Sequence, residues 1–197
     1  AGDPRWPFRP VGDGGPPGWQ GIDFAQRRAA AYQAYYEHMP VRASAFANAL
    51  LTGQAGHLQM HAQFQFGNLA SLCLLDTRQY RDPQVCTKEG KSGSGMVDPD
   101  QCATWDDPAR SMLGVAQEQW LDQRFAQAIQ SGAPRWNLVG QQTLLCPRDL
   151  RPGPQRFFWN DGWDGYPAAR QRLLQSLEKH QVPNAVFLGG DVHEDWV

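Results

Sequence analysis

Lysine is scarce in this sequence, and long apolar runs are absent from it. Only three of the 18 basic residues are lysine, and the formal net charge is −2. A charge so close to zero gives no basis for a nucleic-acid or membrane-surface partner. No apolar run approaches the ~18 residues that a membrane-spanning helix needs. The opening residues, AGDPRWP, show no signal peptide, so we expect either a cytosolic protein or one whose signal has been removed.

Motifs for several common enzyme chemistries are also missing. The sequence contains no Walker-type phosphate loop, no G-x-S-x-G elbow and no Cys–His nucleophile pair. These absences exclude kinase-like enzymes, serine hydrolases and thiol proteases. The enzyme hypothesis that a sequence feature does support is metal-assisted hydrolysis, because a candidate metal-binding motif, described below, is present.

Cysteine is limited to four residues, and no pair has the spacing of a zinc site. Cys86 and Cys102 flank a loop rich in Gly, Ser and Asp. A disulfide that closes this loop would restrict the unfolded chain and so stabilise the fold by about 3 kcal/mol. Such a loop-closing pair favours an oxidising compartment. Cys73 and Cys146 lie in apolar runs, which predicts small buried side chains.

The hydrophobic fraction of 41% and the charged fraction of 19% indicate a folded chain with a real core. Residues 1–22 contain too much Pro and Gly for a regular element, so an irregular loop is predicted there. Periodicity predicts three long helices, a short helical turn at 43–51 and four strands, the first two of which form a hairpin. The helices are predicted over 27–40, 115–130 and onward from Pro167, and the strands over 57–66, 69–76, 136–146 and 184–190. In the third helix, Leu173, Leu174 and Leu177 are expected to face inward. This order favours an α/β fold, layered around a mixed sheet.

The stretch FLGGDVHEDWV places Asp191 and His193 at the end of the last predicted strand. Two glycines allow a sharp turn before Asp191. In an extended segment, residues i and i+2 point to the same side, so both side chains could reach one metal ion. A carboxylate and an imidazole suit Zn, Fe or Mn, and the carboxylate could bridge to Ca. The residues by themselves leave open an Asp that caps a turn beside a structural His.

Two further polar groups have both a functional and a structural interpretation. In NDGWDGY, Asp164 and Tyr166 could form a pocket wall or support a metal ligand, or they could cap the helix that begins near Pro167. In LLDTRQYRD, Arg78 and Arg81 could present guanidinium groups to a phosphate. Alternatively, they could form a self-satisfied ion-pair cluster with Asp76 and Asp82.

Taken together and in order, these stretches resemble the PhoD-like (alkaline phosphatase D) metallophosphoesterase family. The resemblance covers nearly all of residues 24–197. It is carried by RRAAAYQAYYEHMPVR, LLDTRQYRD, a cysteine-containing loop, LGVAQEQWLDQRF, WNLVGQQ, NDGWDGYPAARQRLL and NAVFLGGDVHEDW.

The resemblance implies a layered α/β metallophosphoesterase sandwich that hydrolyses small phosphomonoesters and phosphodiesters. Asp191 and His193 match the family's G-D-V-H metal ligands, which makes them the expected catalytic and metal-binding residues. Arg78, Asp164 and Tyr166 match family positions that bind substrate or support the ligands. Iron and calcium are the implied cofactors, with other divalent metals as alternatives. Family members are exported, which implies a periplasmic or extracellular location.

The sequence also departs from the family pattern. Further metal ligands are expected upstream of AGD, and the family sheet continues past G-D-V-H. Residues 1–197 are therefore expected to form a partial domain, incomplete at both ends and inactive alone for lack of ligands. Unpaired sheet edges would favour self-association. The alternative is a non-catalytic structural or binding module with an incomplete metal site.

Overall fold

The computed structural model describes residues 24–40, 59–87, 95–130, 132, 134–151 and 153–194. The expectations for residues 1–22 and 43–51 lie outside these ranges. By its internal contacts the chain divides into two units, Ala1–Met60 and His61–Val197, and each is described by itself.

The described part of the first unit contains helix α1, Phe24–His38. The helix predicted before Pro40 is therefore confirmed. Gln33 Nε2 donates to Glu37 Oε1 at 2.8 Å, an i, i+4 contact along the helix surface. No helix within the described ranges of the chain is long and apolar enough to cross a membrane.

The second unit contains a four-stranded mixed sheet. Its strands are β1 (Ala62–Phe66), β2 (Ala70–Leu74), β4 (Trp136–Gly140) and β6 (Ala185–Leu188), in the order β1-β2-β4-β6. The predicted hairpin is confirmed, since β1 and β2 pair antiparallel and the Leu69 amide donates to the Phe66 carbonyl at 3.0 Å. The other two pairs are parallel, which requires crossover connections. Strands β3 (Met96–Val97) and β5 (Phe158–Trp159) form a separate antiparallel pair.

Two helices supply the crossovers: α2 (Val115–Gln130) joins β2 to β4, and α3 (Pro167–His180) joins β4 to β6. Both confirm predicted helices, and α3 begins with Pro167, where a missing amide proton costs no hydrogen bond. Leu173 is buried and Leu177 packs against the core, but Leu174 is exposed. The inward prediction for Leu174 is wrong because adjacent residues do not share a helix face, whereas Leu173 and Leu177, four residues apart, do. The core joins side chains from β2, β4, α2 and α3.

Charged and polar contacts join α2 to α3. Arg172 binds the Glu118 carboxylate with two nitrogens, each at 2.8 Å. Asp122 accepts from Ser176 Oγ at 2.7 Å and lies 2.9 Å from His180 Nε2. Burial acts to raise the pKa of Asp122, but the hydrogen bonds from Ser176 and His180 hold that pKa below its usual value. These contacts hold α2 against α3, and this structural role is sufficient to explain them.

The third predicted strand is shorter than its apolar pattern suggests. It ends at Gly140, although the Gln141 amide still donates to the Leu188 carbonyl at 2.9 Å. Beyond that point, the Thr143 amide donates to Gln141 Oε1 at 3.0 Å instead of to a neighbouring strand. Gln142 Nε2 donates to the Leu75 carbonyl at 2.7 Å, which turns the chain across the end of β2. Side-chain bonds therefore end the strand.

A disulfide joins Cys86 and Cys102, whose Cα atoms lie 6.0 Å apart. Cys73 is buried in the core, and burial raises the pKa of its thiol to about 11. This thiol is therefore unreactive near neutral pH. Cys146 is exposed, so the expectation that it is buried is wrong. Its apolar run leaves the sheet at Gly140, before this cysteine is reached.

We expect removal of the disulfide to lower the free energy of unfolding. Cys86 and Cys102 are 16 residues apart in the sequence. The double substitution Cys86→Ser and Cys102→Ser opens the loop between them, and chain-entropy models predict that the free energy of unfolding falls by about 3 kcal/mol. Urea unfolding followed by circular dichroism measures the change. Cys146→Ser is the matched control, because it removes an exposed free thiol and should leave the midpoint unchanged. A double variant as stable as the wild type would contradict the expectation.

Candidate active site

Asp191 and His193 follow β6 in a tight loop. Strand β6 ends at Leu188, and a Cβ atom on Gly189 would overlap the Thr143 carbonyl, so only glycine fits there. Asp191 has φ 72° and His193 has φ 58°, both in the left-handed region, where Asp and His occur more often than most residues. The segment is not extended. The expectation that extended geometry aligns the two side chains is therefore wrong.

Both residues nevertheless line the same open cleft, whose volume is about 1540 Å³. The loop from Gly189 to Glu194 forms one wall. Other walls come from the 144–147 segment, from the first half of α3 and from Trp105. The Asp191 and His193 side chains are exposed, so solvent and small ligands can reach them.

Arg78 is the predicted site residue that lies beside Asp191. Asp76 accepts from the Arg78 amide at 2.9 Å and from the Gln79 amide at 3.0 Å, which fixes the turn after β2. This turn places Arg78 Nη2 3.6 Å from Asp191 Oδ2, an ion-pair distance. Asp76 thus holds the turn that places Arg78 beside Asp191.

The arginines of LLDTRQYRD do not pair with the acids of the same stretch. Arg78 Nη1 lies 2.6 Å from Asp161 Oδ2, and Arg81 Nη2 lies 2.9 Å from Asp161 Oδ1. Asp82 instead accepts from the Ser111 amide at 2.6 Å. Sequence reasoning missed this use of Asp161, since the partners are about 80 residues apart and no local spacing connects them.

Asp164 is buried and holds several segments together. Its carboxylate lies 2.5 Å from Arg170 Nη1 and accepts from the Arg148 amide at 3.0 Å. Trp105 Nε1 donates to the Asp164 carbonyl at 2.7 Å. Burial raises the pKa of Asp164, and the hydrogen bond from Arg170 acts against that rise. Arg148 also pairs with Glu194 at 2.9 Å, which links this anchor to the loop of His193.

Tyr166 is fully buried at the start of α3. Its hydroxyl donates to the Asp82 carbonyl at 2.5 Å, and the Arg110 guanidinium lies 4.4 Å from its ring centroid. Burial raises the pKa of Tyr166. Neither Tyr166 nor Asp164 makes a side-chain cap on α3, in contrast to the structural alternative that the sequence leaves open. At 1% exposure, the Tyr166 side chain packs within the core.

Comparison with known proteins places these residues in a family. The PhoD-like phosphatase family matches residues 17–197. The chain belongs to the PhoD-like phosphatase family. It is 39% identical over 173 residues to alkaline phosphatase D of Bacillus subtilis (strain 168), covering 88% of this chain and 27% of that protein. A solved structure described as the structure of PhoD matches with a TM-score of 0.70 and 38% identity, covering 88% of this chain and 30% of the solved one.

The resemblance read from the sequence is thus confirmed for the family and for a mixed α/β architecture similar to that of the PhoD structure. The chain spans less than a third of the length of these two relatives.

The donor types in this PhoD-like chain fit a metal ion, but their number is small. Asp191 and His193 offer a carboxylate and an imidazole at an exposed loop, which suit iron, zinc or manganese. Among the described residues, no group of three or more His, Cys, Asp or Glu side chains could hold a metal. Two protein ligands leave a divalent or trivalent ion mostly hydrated. A firmly bound metal here needs further ligands from outside the described residues.

Proposed function

We propose that the chain is part of a metal-dependent phosphoesterase that hydrolyses small phosphomonoesters or phosphodiesters. The observation that carries this proposal is that Asp191 and His193 line one cleft, with the Arg78 guanidinium 3.6 Å from the Asp191 carboxylate. A carboxylate and an imidazole suit a metal, and a guanidinium suits a phosphate oxygen. Membership of the PhoD-like phosphatase family supports the same reaction class.

Each residue has a separate role in this proposal. Asp191 and His193 hold the metal, with iron and calcium favoured by the family resemblance and other divalent ions as alternatives. When bound, the metal neutralises phosphate oxygens and activates the attacking water or oxide. Arg78 binds a phosphate oxygen and orients the ester. Asp164 and Tyr166 support the cleft walls from within the core.

The proposal also covers the missing ligands, the complete fold, self-association and the location of the protein. The described residues supply too few ligands for a firmly bound metal, and the family resemblance implies further ligands upstream of AGD, so residues 1–197 alone are expected to be inactive. The complete fold is a layered metallophosphoesterase sandwich. Within the described sheet, β1 and β6 lie at the edges, and their exposed backbone groups would let the isolated chain self-associate. A disulfide between Cys86 and Cys102 supports a periplasmic or extracellular location.

One observation favours the alternative of a non-catalytic structural or binding module. Arg78 Nη2 lies 3.6 Å from Asp191 Oδ2, and this ion pair neutralises the carboxylate without a metal. In that case the loop after β6 would be held by a salt bridge, and no phosphate ester would be turned over.

Hydrolysis of bis(4-nitrophenyl) phosphate at alkaline pH separates the two functions. We expect the complete protein to turn over this diester, to lose turnover on treatment with EDTA and to recover it when iron and calcium are returned. Elemental analysis of the same samples should follow the activity. No turnover by the complete, metal-loaded protein would favour the non-catalytic module. Turnover by residues 1–197 alone would contradict the expected lack of ligands.

A further inference from the structure

Asp161 is the centre of a polar network that ends at Asp191. Its Oδ2 lies 2.6 Å from Arg78 Nη1, and its Oδ1 accepts from Gln84 Nε2 at 2.6 Å and lies 2.9 Å from Arg81 Nη2. Its backbone carbonyl accepts from Arg81 Nη1 at 2.9 Å. Both carboxylate oxygens and the carbonyl are therefore occupied by donors from the turn after β2.

The loop that carries Asp161 is fixed independently of these arginines. The Asn160 amide donates to the Gly95 carbonyl at 2.8 Å, and Asn160 Nδ2 donates to the Val85 carbonyl at 2.7 Å. A Cβ atom on Gly165 would overlap the Asn160 carbonyl, so the following turn packs directly on this backbone. Asp161 is a fixed acceptor rather than a side chain that follows its partners.

The exposed fraction of the side chains increases along the network toward the loop of Asp191. The side chains of Arg81 and Asp161 are 16% and 18% exposed, whereas that of Arg78 is 39% exposed. Arg81 therefore ends in the interior, while Arg78 extends from the same carboxylate to the loop of Asp191. One carboxylate is shared by two guanidinium groups, so the three side chains together carry one surplus positive charge.

We infer that Asp161 is a positioning residue, which holds the Arg78 guanidinium beside Asp191 so that Nη2 is presented to a phosphate oxygen. This inference rests on the proposed function. Nη1 is held by Asp161 at 2.6 Å, but Nη2 is 3.6 Å from Asp191 Oδ2, longer than a hydrogen bond. The planar fork of arginine allows one nitrogen to be anchored while the other binds ligand. Holding the side chain in advance removes an ordering cost from phosphate binding.

The test is the Asp161→Asn variant of the complete, metal-loaded protein. Loss of a charge-assisted contact should weaken phosphate binding about tenfold. We expect the KM for bis(4-nitrophenyl) phosphate and the inhibition constant of inorganic phosphate to rise together by about that factor. Bound metal and kcat should change little, because the residue acts through Arg78. In an Arg78→Gln background, Asp161→Asn should cause no further rise.

Arg81→Gln is the matched control, since it also removes a cation from Asp161 but leaves the Arg78 pair. Its KM should stay close to that of the wild type. Equal KM values for Asp161→Asn and Arg81→Gln would overturn the inference. It would also be overturned if Asp161→Asn kept the wild-type KM and lost kcat only in proportion to its unfolded fraction. Should Asp161→Asn fail to fold, Arg78→Lys decides. It keeps the charge but has one nitrogen, so a normal KM would overturn the inference.

Calorimetric titration with inorganic phosphate separates this inference from the proposed function. One outcome is that the wild-type protein shows no turnover but binds phosphate more tightly than Asp161→Asn does. That result would support the positioning role and contradict phosphoester hydrolysis. Turnover in a wild type whose phosphate affinity is unchanged by Asp161→Asn would do the reverse.

Discussion

Asp191→Asn and His193→Ala are each expected to remove most of the bound metal and to slow phosphate-ester hydrolysis by at least about a hundredfold. Substitutions that only support metal ligands already cost about 10–100-fold in affinity or activity, so loss of a ligand should cost no less. Elemental analysis and the turnover of bis(4-nitrophenyl) phosphate by the complete protein measure the two effects. They should fall together.

Glu194→Gln is the matched control for these two substitutions. Glu194 lines the same cleft wall and pairs with Arg148 at 2.9 Å, and its side chain is exposed. An exposed ion pair contributes about 0–1 kcal/mol, so metal content and rate should stay near the wild-type values. Normal metal content in either Asp191→Asn or His193→Ala would show that the ligand assignment is wrong.

Helices and the hairpin could be predicted because their signals are local. Pro40 and Pro167 bound helices, and the alternation before Gly67 indicates a strand that turns directly into the next. The end of β4 could not be predicted in this way. The apolar pattern continues past Gly140, whereas the chain leaves the sheet because Gln141 and Gln142 bind backbone groups with their side chains.

The assignment of Asp191 and His193 as metal ligands through G-D-V-H stays a prediction, and the geometry of their loop could not be predicted. Their left-handed backbone and the close packing of Gly189 against Thr143 have no local signal in the sequence. The stretch LLDTRQYRD suggests ion pairs but cannot supply the partner. Asp161 binds Arg78 only because folding brings the turn after β2 against the turn before α3. Pairing over such sequence separations leaves no periodic trace in one sequence.

Asp164→Ala is expected to be the most destabilising single substitution of a predicted site residue. The side chains of Asp164 and Arg170 are 10% and 11% exposed, so alanine at position 164 leaves a nearly buried guanidinium without its carboxylate. Removing one partner of a buried pair costs about 3–5 kcal/mol. Asp164→Asn should cost less, because the amide oxygen can still accept from the Arg148 backbone. Urea unfolding of the metal-free protein measures both changes without a contribution from bound metal.

Asp100→Ala is the control, since Asp100 and Arg156 also form an ion pair, 3.0 Å long, but between exposed side chains. Its cost should be about 0–1 kcal/mol. The comparison also decides between the two roles that the sequence allows for Asp164. A supporting residue lowers stability while the KM of the folded fraction stays normal. A raised KM at wild-type stability would instead place the Asp164 carboxylate in contact with substrate, which its pairing with Arg170 argues against.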